Sequence, residues 1–205
     1  MSKIQTNKIQ HTANGAAEFT LPQTDGSAGQ FMQTDGSANL SFAAVSAGIT
    51  QFDQFYLSTA SVTSEGTITS NLTRNNFPGS GAPLGTGMSE SSGIFTFPTT
   101  GKYLIVLHGS FMIDGSDNVN IKLRVTTNNS SYNTVCTAMD ANNGSGLRTA
   151  SATNMFFLDV TDTSNVKVKF DVDSISGSSS VRGVPNPNVD DGMETNFIFI
   201  RIGDT

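Results

Sequence analysis

The stretch SGIFTFPTTGKYLI, residues 92–105, joins two segments that each have the composition of a β-strand. Gly93–Phe97 contains β-branched and aromatic residues and ends at Pro98, which lacks the backbone N–H that a central strand donates. Gly101 then opens the apolar run Lys102–Ile113. The two segments therefore predict consecutive strands joined by a short loop.

Strand patterns continue on both sides of this stretch. Asn118–Thr126 alternates cleanly, with Val119 and Ile121 on one face and Asn120 and Lys122 on the other. No window shows a convincing 3.6-residue apolar period, so no helix is predicted. About eight to ten short strands separated by polar turns predict an all-β sandwich or jelly roll. The other predicted strands are Gln51–Leu57, Gly66–Leu72, Tyr132–Thr137, Thr149–Val160, Val166–Val172 and Thr195–Ile202.

Two of the strand segments are apolar on both faces. Tyr103–Leu107 and Phe197–Ile202 lack the polar positions that a strand with one wet face would show. Such a strand needs a second sheet on one side and a further covering on the other. Either a neighbouring subunit or loops of the same chain can supply that covering, and the pattern favours neither over the other.

Residues 1–48 differ from the rest of the chain. Their large apolar residues are scattered between turn-forming pairs, and the hexapeptide QTDGSA occurs at 23–28 and again at 33–38. Short units of this kind cannot bury an apolar face alone, so they need neighbours. The chain is predicted to divide into an extended arm, 1–48, and an all-β domain, 49–205. The arm is either an anchor or a flexible linker; the candidate anchoring residues are Ile4, Ile9, Phe19, Phe31 and Phe42.

The composition excludes several classes of protein. With 205 residues, a net charge of −6 and the single cysteine Cys136, the chain cannot form an internal disulfide framework or a cysteine zinc site. A sequence pI of about 4.7 argues against nucleic acid as a partner. No apolar run has the length of a membrane span. The first nine residues lack the apolar stretch of a signal peptide, so we expect synthesis in a cytoplasm without secretion.

Patterns for catalysis and metal binding are weak. His11 lies in the arm, His108 lies in an apolar strand, and Cys136 has no obvious histidine partner. We therefore expect neither an enzyme nor a cofactor. Solvated turns are favoured over a calcium site for the loop carboxylates, because their spacing matches no calcium loop. These carboxylates are Asp140, Asp171, Asp173, Asp190 and Asp191.

A polar loop is the candidate ligand site. Tyr132 would stack on a sugar ring while the amides of Asn128 and Asn129 hydrogen-bond to the sugar hydroxyls. The alternative is an ordinary exposed turn. A glycan is therefore the ligand that the sequence predicts for this loop.

The stretch that opened this section resembles the most recognisable motif of C1q/TNF-like domains, G-x-F-x-x-P-x-x-G-x-Y, here Gly93 to Tyr103. The closing segment 196–201 is similar to that family's last strand, and the resemblance covers about residues 51–205. The glycine-aromatic signature that usually precedes the last strand is absent. The resemblance implies a jelly-roll sandwich that forms a homotrimer through apolar faces near the threefold axis. The candidate contacts between subunits are Tyr103, Ile105, Phe197 and Phe199.

The arm carries a second resemblance. Residues 21–42, LPQTDGSAGQFMQTDGSANLSF, and the opening Ser2–Ile4 are similar to segments of virion structural proteins of marine tailed phages. In those proteins the segment commonly precedes a trimeric β-rich knob. The resemblance implies a non-enzymatic appendage on the virion surface, a fibre or decoration of head or tail, bound to other virion proteins. The alternative is a knob that contacts a receptor or glycan on the host.

Overall fold

The computed structural model describes residues 6–10, 17–44, 48–185 and 192–205. These residues form strands and irregular segments, with no helix among them, and hence none that could cross a membrane. The chain divides into two compact units, Met1–Gly48 and Ile49–Thr205. Four residues singled out above, Ile4, His11, Asp190 and Asp191, lie outside the described residues.

The first unit contains two small antiparallel sheets. Strands β1 (Lys8–Gln10) and β2 (Glu18–Thr20) form one, and β3 (Gln30–Thr34) and β4 (Leu40–Ala44) form the other. The second copy of the hexapeptide repeat makes the turn between β3 and β4. There one carboxylate oxygen of Asp35 accepts hydrogen bonds from the backbone N–H groups of Ser37 and Asn39, at 2.7 and 3.1 Å.

The second unit contains the remaining strands of the described residues. In chain order they are β5 (Gln51–Leu57), β6 (Ser61–Val62), β7 (Gly66–Thr67), β8 (Leu72–Arg74), β9 (Ser89–Ser91), β10 (Ile94–Thr96), β11 (Gly101–Asp114), β12 (Asn118–Thr126), β13 (Asn133–Ala141), β14 (Leu147–Val160), β15 (Lys167–Asp173), β16 (Ser180–Arg182) and β17 (Asn196–Gly203). They form two sheets. Sheet I contains β5, β6, β8, β11, β14, β16 and β17, and sheet II contains β7, β9, β10, β12, β13 and β15.

Strand β11 is the centre of sheet I. It pairs with β14 along its whole length, and its other edge is shared by β17 and β16. Strand β17 in turn pairs with β5. Sheet II has the order β13-β12-β15-β10-β9, with β7 also paired to β15. Every pairing between these strands is antiparallel, which is the arrangement of a sandwich rather than of an α/β fold.

The core lies between the two sheets and is rich in aromatic rings. Phe170 of sheet II stacks on Phe197 of sheet I, with ring centroids 3.9 Å apart. Phe95 of sheet II meets Phe55 of sheet I edge to face at 5.0 Å. Burial alternates residue by residue along β11, because successive side chains of a strand point to opposite faces.

The loop in the motif of residues 92–105 depends on two glycines. Gly93 has a φ of 83°, and a Cβ there would overlap the backbone oxygen of Ile68. Gly101 has a φ of 143°, and a Cβ there would lie 2.7 Å from the backbone oxygen of Gly203. Both positions combine positive φ with a close approach of backbone, so the conformation and the packing each require glycine.

One predicted strand proves to be two. The segment Gly66–Leu72 is interrupted: β7 pairs with β15 in sheet II, whereas β8 pairs with β5 in sheet I. The chain passes from one sheet to the other between them, and Asn71 takes a left-handed φ of 59° just before β8. An alternating apolar pattern carries no information about such a crossing, since both sheets bury the same kind of side chain.

Candidate functional site

The four side chains predicted to contact a neighbouring subunit lie inside the sandwich. Tyr103, Ile105, Phe197 and Phe199 are each at most 2% exposed in the single chain. The hydroxyl of Tyr103 donates to the side-chain oxygen of Gln51 at 2.7 Å, inside the same subunit. The prediction therefore named the wrong face of β11 and β17, because it is the opposite, even-numbered positions that point away from sheet II.

The outward face of sheet I carries apolar side chains in two rows across four strands. The β pairing places Phe157, Leu104, Ile200 and Phe52 side by side in the first row. Met155, Val106 and Ile198 follow in the second row. We call these seven residues, together with Ile202, the apolar face.

The apolar face is open to solvent in the single chain. Phe52, Met155, Phe157 and Ile202 are between 36% and 58% exposed, and the side chains between them are half-buried. Single exposed apolar residues are ordinary on a protein surface, but a contiguous patch of aromatic and aliphatic side chains is typical of an interaction surface.

Polar pairs border the apolar face at both of its ends along β11, one in the middle of that strand and one near its start. At one end His108 Nδ1 lies 2.7 Å from Thr153 Oγ1. At the other end Lys102 Nζ and Asp159 Oδ2 form an exposed ion pair at 3.5 Å. An apolar centre with a polar border is the usual composition of a protein–protein interface.

The polar groups of the candidate ligand loop form hydrogen bonds within the loop. Asn128 Oδ1 accepts hydrogen bonds from the backbone N–H groups of Ser130 and Ser131, at 3.0 and 2.9 Å. Asn129 is exposed and has a left-handed φ of 54°. These contacts are those of a tight turn, in which an asparagine side chain caps the backbone.

Tyr132, the third residue of the candidate ligand loop, is partly covered. Lys169 Nζ lies 5.0 Å from the centre of its ring, and its carbonyl accepts a hydrogen bond from Arg124 Nη2 at 2.6 Å. Its hydroxyl is buried, and this burial raises the pKa of the phenol. The Tyr132 ring therefore packs against side chains of β12 and β15 in sheet II, where the sequence had predicted a platform for a sugar.

The candidate anchoring residues of the first unit are mostly exposed. Ile9 and Phe19 are cross-strand neighbours on β1 and β2, and both are exposed. Phe31 is exposed on β3, whereas Phe42 is half-buried and packs against the turn at Gly26. Since a two-stranded sheet is marginal by itself, the exposed apolar side chains are available to a partner.

The histidine, cysteine and carboxylate side chains form no candidate metal-binding group in the described ranges. No three such residues lie together there in a way that could hold a metal ion. Cys136 is half-buried, and loss of solvent raises the pKa of its thiol, which disfavours the reactive thiolate. Asp140 is paired with Arg148 at 3.4 Å, and Asp171 with Arg124 at 2.9 Å.

Comparison with known proteins finds similarity in structure only. No protein-family model and no curated protein sequence matches the chain. Eiger TNF from S. frugiperda aligns with a TM-score of 0.53 and 13% identity, over 78% of this chain and 96% of that one. Murine APRIL at pH 5.0 aligns with a TM-score of 0.50 and 10% identity, over 74% and 98% of the two chains. The globular domain of the zebrafish complement 1qA protein aligns with a TM-score of 0.46 and 12% identity, over 74% and 94%.

The fold is therefore that of the C1q/TNF-like jelly-roll domains, as the motif of residues 92–105 predicted. Within that fold, sequence reasoning recognised 103–107 and 197–202 as apolar on both faces, but it did not select the residues of the apolar face as the contacts between subunits. The segment Met155–Leu158 did show an apolar residue on each face of one strand. That pattern marks a doubly covered strand, but only the pairing with β11 shows which residues point outwards.

Proposed function

We propose that the protein is a non-enzymatic structural protein of a tailed-phage particle, a homotrimeric surface appendage. In this proposal the second unit forms the trimer through its apolar face, and the first unit binds other proteins of the particle. The observation that carries the proposal is the apolar face itself, which covers the middle of sheet I and is left open by the described residues of its own chain.

Burial of the apolar face supports self-association. Removing one large apolar side chain from water stabilises an assembly by about 1.5–3 kcal/mol. Phe52, Met155, Phe157 and Ile202 provide four such side chains per subunit. Part of that gain is lost to the entropy of association, and the surplus sets the affinity. The resemblance to C1q/TNF-like domains selects a trimer among the closed symmetries that would bury this face.

A trimer would also explain how a short arm can anchor a particle protein. Three identical arms joined to one trimer bind neighbouring sites with a high effective concentration, so weak individual contacts add up to strong attachment. Exposed Ile9, Phe19 and Phe31 are the apolar contacts that such an arm offers. The similarity of residues 21–42 to phage virion proteins supports this role.

The particle role predicts a specific location. Antibodies raised against residues 49–205 should label the surface of purified phage particles that carry this chain, and the deletion of residues 1–48 should abolish incorporation while residues 49–205 stay folded. Electron microscopy with gold-labelled antibody and mass spectrometry of purified particles make the measurement.

A matched control keeps the arm and changes the exposed Met139 of sheet II to Ser, which should leave incorporation unchanged. Normal incorporation of the 49–205 fragment would show that the arm is not the anchor. Absence of the chain from purified particles would contradict a structural role altogether.

A further inference from the structure

The outward face of sheet II carries a polar groove with a volume of about 330 Å³. The sequence predicted strands here but no site. This volume lies at the lower end of the range for small-ligand sites, about 300–1,000 Å³. We call it the sheet II groove; its floor and walls include Glu65, Lys122, Arg124, Asp171, Val172 and Asp173.

Paired charges from neighbouring strands form the floor of the groove. The register places Lys122 of β12 opposite Asp171 of β15, and Arg124 opposite Lys169. Arg124 Nη1 donates to Asp171 Oδ2 at 2.9 Å, and Lys122 Nζ pairs with Asp173 Oδ2. Positive and negative groups therefore alternate along the floor, and each positive group forms a direct hydrogen bond to a neighbouring carboxylate.

The ion pairs retain capacity for further hydrogen bonds. An ammonium group has three N–H donors, and the contact with Asp173 uses one donor of Lys122. A carboxylate has about four acceptor positions, and the side chains of Lys122 and Asp173 are 30% and 37% exposed. Both partners thus remain accessible from the groove while they stay paired to each other.

We propose that the sheet II groove binds a neutral saccharide. A sugar hydroxyl both donates and accepts, so two adjacent hydroxyls can bridge a lysine ammonium and a carboxylate at the same time, with charge-assisted hydrogen bonds. A charged ligand on this floor would lie beside a like charge, an anion next to Asp171 or Asp173 and a cation next to Lys122 or Arg124, which disfavours it relative to a neutral one. The apolar stems of Lys122 and Arg124 face the C–H groups of the sugar ring.

The groove and the apolar face lie on opposite sides of the sandwich. The core residues of sheets I and II pack against each other, so the outward face of each sheet points away from the other. The groove would therefore stay open when sheet I is covered in a trimer. The inference goes beyond the proposed structural role, and it does not depend on trimer formation because one chain supplies every lining residue.

Saturation-transfer NMR with the full chain tests this inference. The probes are glucose, galactose, mannose and N-acetylglucosamine, with N-acetylneuraminic acid and glucose 6-phosphate as charged ligands. We expect saturation transfer to at least one neutral sugar and none to the charged ligands. Lys122→Gln and Asp173→Asn should each weaken sugar binding roughly tenfold or more, because a hydrogen bond to a charged group contributes about 1.5–3 kcal/mol.

The matched control is the ion pair between Lys102 and Asp159 on sheet I. Lys102→Gln and Asp159→Asn remove the same charges on the other side of the sandwich and should leave sugar binding unchanged. Circular dichroism confirms that each variant is folded. No transfer to any neutral sugar, preference for the charged ligands, or binding that survives in folded Lys122→Gln would each overturn the inference.

Discussion

Phe157→Glu should convert the proposed trimer into folded monomers. Phe157 lies at the edge of the first row of the apolar face and is half-exposed in the single chain, so the glutamate is solvated in a monomer. In a trimer the three carboxylates would be taken out of water without partners, which costs several kcal/mol per site. A loss of about 3 kcal/mol already raises the dissociation constant about 100-fold. Analytical ultracentrifugation over a range of concentrations measures the shift.

The control for this variant is Met139→Glu. Met139 is as exposed as Phe157 but lies on β13 of sheet II, away from the apolar face. The control should keep the mass of the unchanged protein. A trimer that survives Phe157→Glu, or one that Met139→Glu breaks instead, would show that the subunits meet through another surface.

Phe170→Ala should give the largest loss of stability among single changes in the core. Its ring is fully buried, stacks on Phe197 at 3.9 Å and contacts Phe95 at 5.6 Å, so it bridges the two sheets near their centre. Replacing a buried phenylalanine by alanine costs about 3–5 kcal/mol through lost burial and the cavity left behind. For a unit of this size, the thermal midpoint should fall by about 6–20 °C.

Met139→Ala serves as the comparison for Phe170→Ala. The methionine is more than half exposed, and its truncation should change the free energy of unfolding by less than about 0.5 kcal/mol. Denaturant unfolding followed by circular dichroism gives both values. Equal effects from the two variants would mean that the aromatic cluster is not the core of the second unit.

The strands were largely predictable because their side chains alternate. Asn118–Thr126 has the same bounds in sequence and structure, and Lys102–Ile113 falls one residue short of β11 at each end. Alternation shows that a strand has two faces. It does not show which face meets the second sheet when both are apolar, and this is why Tyr103 and Phe197 were placed on the wrong side.

The two candidate surfaces depend on pairing between distant segments. Phe157 joins Leu104 and Ile200 only through the register of three strands that lie far apart in sequence. In the sheet II groove, Lys122 and Asp173 meet across 51 positions of the chain. From the sequence alone, Asp173 could be described only as a loop carboxylate, and Lys122 only as a residue on the polar face of a strand.

The mass of the full chain in solution tests the central claim most directly. Light scattering coupled to size-exclusion chromatography should give about 65 kDa, three times the 21.6 kDa of one chain. The value should stay constant as the protein is diluted through the micromolar range. A mass of about 22 kDa at every concentration would contradict the account, because the apolar face would then remain exposed in the isolated protein.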